Sequence, residues 1–83
     1  MNHRLLIDAE SFFEIRDGGR KFDIRELDRT YKIGDSLQYS LLYPDGTIED
    51  DNNHFVVTYI LKNVPELGLR NDCCILSIEK NAY

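Results

Sequence analysis

The sequence predicts a mainly β domain, α+β in the broad sense, with one early helix and five to six short strands curled into a small barrel. Three observations predict it. Residues 36–43 alternate apolar and polar side chains with a period of two, residues 55–61 are β-branched and aromatic on both alternations, and apolar residues recur at helical spacing only over residues 9–17. With 83 residues the chain holds a single domain, residues 1–83. So many short strands leave exposed edges unless the sheet closes, so a strongly curved sheet or barrel is expected rather than a flat one.

The elements follow in order. His3 to Ile7 is a short apolar-leaning run that reads as a first strand, and Asp8 behind it is a helix N-cap with Glu10 in the first turn. Ala9, Phe12 and Phe13 share one side of the helix and read as core anchors, with Ile15 at the margin. Gly18-Gly19 supplies the left-handed exit. From Lys21 the period changes to two, and Phe22 and Ile24 alternate with Lys21, Asp23 and Arg25, as in a half-buried strand with three charges on one face.

Gly34-Asp35 opens the clearest strand, in which Leu37, Tyr39, Leu41 and Tyr43 alternate with Ser36, Gln38 and Ser40. Pro44-Asp45-Gly46 is turn chemistry leading into Thr47 and Ile48, and residues 49–53 read as a solvated acidic loop. Phe55 to Leu61 reads as a central strand covered on both faces, with the helix over one of them. Pro65 and Gly68 mark a connection, and Cys73 to Glu79 a last strand.

Charge is unevenly spread. The formal charge of −5 argues against a chain that coats nucleic acid or anionic membrane through bulk electrostatics. Yet residues 16–32 hold six of the ten basic side chains against four acidic ones, a local +2 that leaves −7 for the rest. No apolar run approaches the ~18 residues of a membrane helix. The first ten residues lack the apolar stretch of a signal peptide, so a cytoplasmic protein is expected.

Most chemical motifs are absent. The sequence has no phosphate-cradling loop of the GxxxxGK[ST] or GxGxxG kind, no GxSxG elbow and no HExxH helix. His3 and His54 have no ligand-spaced partners and read as ordinary polar or strand-edge residues, so no metal or other cofactor is expected. Ser11, Ser36, Ser40 and Ser77 have no evident base, and no catalytic residue is assigned. Cys73 and Cys74 are neighbours that a strand points to opposite faces, so they read as reduced structural thiols.

What remains is Gly18-Gly19-Arg20-Lys21-Phe22-Asp23-Ile24-Arg25. It resembles the GxKxxExR motif of the activating signal cointegrator homology (ASCH) superfamily, a branch of the PUA-like β-barrels. Gly18 matches the glycine and Arg25 the arginine, while Arg20 stands where lysine is usual and Asp23 stands for glutamate. The order of strand, helix, motif strand and Gly34-Asp35 fits as well, and residues 67–79 look like the last strand of small bacterial and phage members, so the resemblance runs from Leu5 to Glu79. It implies a PUA-like barrel with a cleft beside the helix, lined by the motif, that holds RNA, a nucleotide or a modified nucleoside.

The residues themselves are compatible with such a cleft. Arg25 is a planar, permanently charged fork suited to phosphate or a purine edge, and Asp23 on the same face can orient it or accept from a base amino group. Lys21 adds charge, Arg29 and Lys32 are further phosphate partners, and Tyr31 offers a ring on which an unpaired base can stack. The plainer alternatives are an exposed Asp23–Arg25 salt bridge and a Tyr31 that is simply packed in the barrel. The first expectation is therefore an RNA- or nucleotide-binding module using Arg20, Lys21, Asp23, Arg25, Arg29, Tyr31 and Lys32, without catalysis. The second is a nucleoside or RNA hydrolase in the same cleft. In a branch of relatives acting on N4-acylated cytidine the resemblance gives the motif lysine a catalytic role, but Arg20 holds that place here, and a guanidinium does not readily act as a base. The third is a protein-interaction module in which the acidic remainder meets a partner.

Overall fold

Strand formation begins at the N-terminal end. In a computed structural model of the chain, which describes residues 1–81, strand β1 (Asn2–Asp8) buries His3, Leu5 and Ile7 on one face and exposes Arg4 and Leu6 on the other. Asp8 then caps helix α1 (Ala9–Arg16), its carboxylate accepting from the Ser11 N–H at 3.0 Å; that bond holds the Asp8 carboxyl below its ordinary range. The helix buries Ala9, Phe12 and Ile15 and leaves Phe13 half-buried against the core. Its exit passes through Gly18 at φ +86°, a conformation that favours glycine.

Strand β2 (Phe22–Glu26) follows, then β3 (Ser36–Leu42), β4 (Ile48–Asp50), β5 (Phe55–Leu61) and β6 (Cys73–Lys80). The sheet runs β1-β3-β5-β6-β2, with β4 paired to β3 beside that path. β1 lies parallel to β3, because α1 and β2 intervene between them, and the remaining pairs are antiparallel. Phe12 of the helix sits edge-on against Tyr39 and Phe55, with ring centres 5.8 and 6.1 Å away. These rings, with Leu37, Leu76, Val57 and Cys74, fill the core.

The fold is thus mainly β with one helix and six strands. Among the described residues the backbone ladder does not close: β1 and β2 are the two ends of the path. Three further expectations are corrected. β2 is inverted, with Phe22 and Ile24 43% and 52% exposed while Asp23 is buried and Arg25 half-buried. β5 is not covered on both faces, since a register shift between Val57 and Tyr59 leaves Thr58 and Tyr59 exposed. Glu49 and Asp50, expected in a loop, pair with β3 as part of β4. No helix of the described residues is long and apolar enough to cross a membrane.

Candidate functional site

The inversion of β2 builds the site. Asp23 faces the interior, where its Oδ2 accepts from the Tyr39 hydroxyl at 2.9 Å and from Arg25 Nε at 2.7 Å, so the carboxylate lies buried yet bonded. Burial and the adjacent Asp23 carboxylate push the Tyr39 hydroxyl far above its ordinary value, which keeps it a donor. Arg25, two residues along the same face, lies with its guanidinium 5.7 Å from the Tyr39 ring centre and donates from Nη1 to the Leu6 carbonyl of β1 at 2.8 Å. A side chain spans the seam that the backbone leaves unpaired.

Arg20 completes the cluster. Its Nε donates to the Phe22 carbonyl at 3.0 Å, its guanidinium rests 5.0 Å from the Phe22 ring centre, and Nη2 lies 3.6 Å from Asp23 Oδ1. Between these groups is a hollow of about 210 Å³ lined by Leu6, Asp8, Ser11, Arg20, Asp23, Ile24 and Arg25, with Ile7 as a further wall. A second hollow of about 340 Å³ shares Leu6, Ile24 and Arg25 with it and continues to Glu26, Asp28, Arg29 and Tyr31. A third, of about 360 Å³, shares Asp28, Arg29 and Tyr31 and ends at Ile60 and Lys62. The seam is therefore a groove along which Arg20, Arg25, Arg29 and Lys62 recur, interleaved with acids.

The structure brings Arg20, Asp23 and Arg25 into one hollow and sets Arg29 and Tyr31 in the next. Tyr31 is only 5% exposed and its ring packs 5.0 Å from that of His3, so it offers no open face for stacking. Burial raises its hydroxyl above the ordinary value. Lys21 is not in the seam; it lines a different hollow beyond the helix end. Lys32 is exposed, and its backbone N–H rather than its ammonium is engaged, donating to Asp35 Oδ2 at 2.9 Å.

A protein family described as a domain of unknown function (DUF3850) matches residues 2–78. The chain belongs to that family. The match includes both strands of the seam and every side chain of the Arg20–Asp23–Arg25 cluster. No curated protein matches the chain.

Sequence reasoning missed several members of this DUF3850 site. Tyr39 reads as one more inward residue of a strand, and nothing in its alternation tells that its hydroxyl ends on Asp23. Leu6 and Lys62 enter only because β1 and β5 flank the groove. A second buried polar group was also missed: His3 Nε2 lies 2.8 Å from Asp35 Oδ2, both side chains being under 10% exposed. Burial raises the Asp35 carboxyl, but bonds from His3, the Lys32 N–H and the Met1 amino group outweigh it and hold it at about 2. The available signal was His3 standing in phase with inward Leu5 and Ile7.

Proposed function

We propose that the seam between β1 and β2 receives RNA or a nucleotide-like ligand, which it binds without catalysis. One observation carries the reading: Arg25 is anchored through Nε to Asp23 and through Nη1 to Leu6, and among the described residues its Nη2 has no protein partner. A guanidinium held at two nitrogens has lost its rotamer freedom before the ligand arrives, so its remaining donor meets a phosphate oxygen or a base edge at little entropic cost. Arg29 and Lys62 along the groove add screened attraction for phosphate. Asp8, Glu26 and Asp28 on the same walls keep the groove from acting as a general polyanion trap, in line with the net charge of −5.

The same reading takes the domain as a PUA-like barrel of the ASCH superfamily, its closure across the seam made by Arg25 in place of a backbone ladder. The helix that follows β1 and the motif that runs from its exit into β2 support this. Hydrolysis in the cleft gains nothing from Arg20, which donates to the Phe22 carbonyl and faces Asp23 and Glu14 as a structural cation.

Fluorescence anisotropy with a labelled single-stranded RNA hexamer and with a labelled mononucleotide, each at two salt concentrations, tests the proposal. Binding is expected to weaken with added salt, and Arg29→Ala, whose side chain is exposed, is expected to weaken RNA binding about three- to tenfold. Affinity for neither probe, or affinity indifferent to both salt and Arg29, overturns it.

A further inference from the structure

The seam does not account for the whole cationic surface. On the far side of Arg20 lies a hollow of about 410 Å³, within the size range of ligand pockets, with Arg16, Lys21 and Lys80 on its rim and Glu79 as its one acid. Its floor is Ile15, Phe55 and Ile78, and Gly18 forms one lip. With Arg20, which also lines the hollow, four cations surround one acid, an unusual local balance for a chain of net charge −5. Arg16 has a local explanation, since it sits in the last turn of α1, ion-pairs with Asp17 at 3.2 Å and lies over the Phe13 ring. Lys21 has none: among the described residues its ammonium makes no ion pair, and its structural duty is discharged by its backbone carbonyl, which accepts from the Ile78 N–H at 3.0 Å.

Arg20 is the wall between this hollow and the seam, lining both. It is fixed there by the Phe22 carbonyl and by the acids at 3.6 and 3.7 Å. The seam groove runs from the hollow beside Arg20 toward Arg29 and Lys62, and a chain that leaves it at the other end, past Arg20, meets the larger hollow that shares this side chain. Resting on the proposed reading of the seam, we infer that the ligand is a single-stranded RNA rather than a free nucleotide, and that the Lys21 hollow is a second subsite holding the phosphate of a flanking nucleotide. The apolar floor suits a ribose or a base face, and the rim cations suit the phosphodiester.

Lys21→Ala separates this subsite from the seam, because it removes the ammonium while keeping the backbone bond to Ile78. Anisotropy is measured for a mononucleotide and for RNA oligomers of two, four and six residues, over a salt series, with the native chain, Lys21→Ala and Arg29→Ala. The subsite predicts affinity that rises with length beyond one nucleotide. It also predicts a three- to tenfold loss for the hexamer in Lys21→Ala, with the slope of log affinity against log salt falling by roughly 0.7 and mononucleotide binding unchanged. RNA binding that responds to Arg29→Ala but keeps its affinity and salt slope in Lys21→Ala overturns the subsite and leaves the seam reading standing. Absence of binding to every probe removes both.

Discussion

Arg25 Nη1 on β2 lies 2.8 Å from the carbonyl oxygen of Leu6 on β1, so one side chain joins the two strands at which the sheet stops. The same guanidinium satisfies the buried Asp23. Arg25→Ala therefore removes the seam bridge and strips a charged donor from a buried carboxylate, an expected loss of about 2 to 3 kcal/mol in urea unfolding. Because the two residues act as a pair, Asp23→Ala combined with Arg25→Ala is expected to cost less than the sum of the single changes by about 1 to 2 kcal/mol. Strictly additive effects in that cycle would show that the pair is not coupled.

Tyr39→Phe isolates the second donor to Asp23. The ring stays in place against Phe12 and Phe55, at 5.8 and 5.7 Å between centres, so packing is unchanged and only the hydroxyl is lost. Loss of a hydrogen bond to a charged group inside the core is expected to cost about 2 kcal/mol. A change below about 0.5 kcal/mol would mean that the two arginines, Arg25 and Arg20, satisfy the carboxylate without the hydroxyl.

Much of the fold is legible in the letters, and the misreading of β2 has a definite cause. The Asp8 cap, the Gly18 exit, the alternation from Leu37 to Leu41 and the turn at Pro44-Asp45-Gly46 are local signals, set by dihedral preference and by period, and the structure places each where its residues lie. Period alone does not say which face of a strand is inside. In β2 the alternation of Phe22 and Ile24 with Asp23 and Arg25 was right, but the inward face is the charged one. Tyr39, sixteen residues away, supplies the partner that makes a buried carboxylate tolerable, and that contact is set by tertiary structure. The site was legible as a motif and illegible as a seam, because the seam exists only where β1 and β2 end the sheet.

The inversion of β2 makes its own forecast. An apolar-in reading has Ile24→Ser remove a core side chain, at a cost of 2 kcal/mol or more. With Ile24 52% exposed, the change is expected to shift stability by less than about 0.5 kcal/mol in dilute protein. Phe12→Ala is the internal control: that ring is 1% exposed, and its loss is expected to cost about 3 to 4 kcal/mol.

The Asp35 cluster gives the fold an acid-sensitive contribution to stability. Its carboxyl is held at about 2 against an ordinary 3.8, so the folded chain favours the ionised form more than the unfolded chain does. A depressed carboxyl stabilises fully above its unfolded value, and the contribution drains away as pH falls from about 4 to about 2, amounting to about 2 kcal/mol. Asp35→Asn retains an oxygen for the His3 ring and the Lys32 N–H but no charge. Urea unfolding of both chains between pH 7 and pH 2 is then expected to show the variant weaker by about 2 kcal/mol at neutral pH, with the two curves converging at the acid end. Parallel curves across that window would place the acid sensitivity elsewhere, since the other carboxylates are common to both chains. Convergence ties it to the one carboxylate that fastens β1 to the segment carrying Tyr31 and Arg29 into the groove.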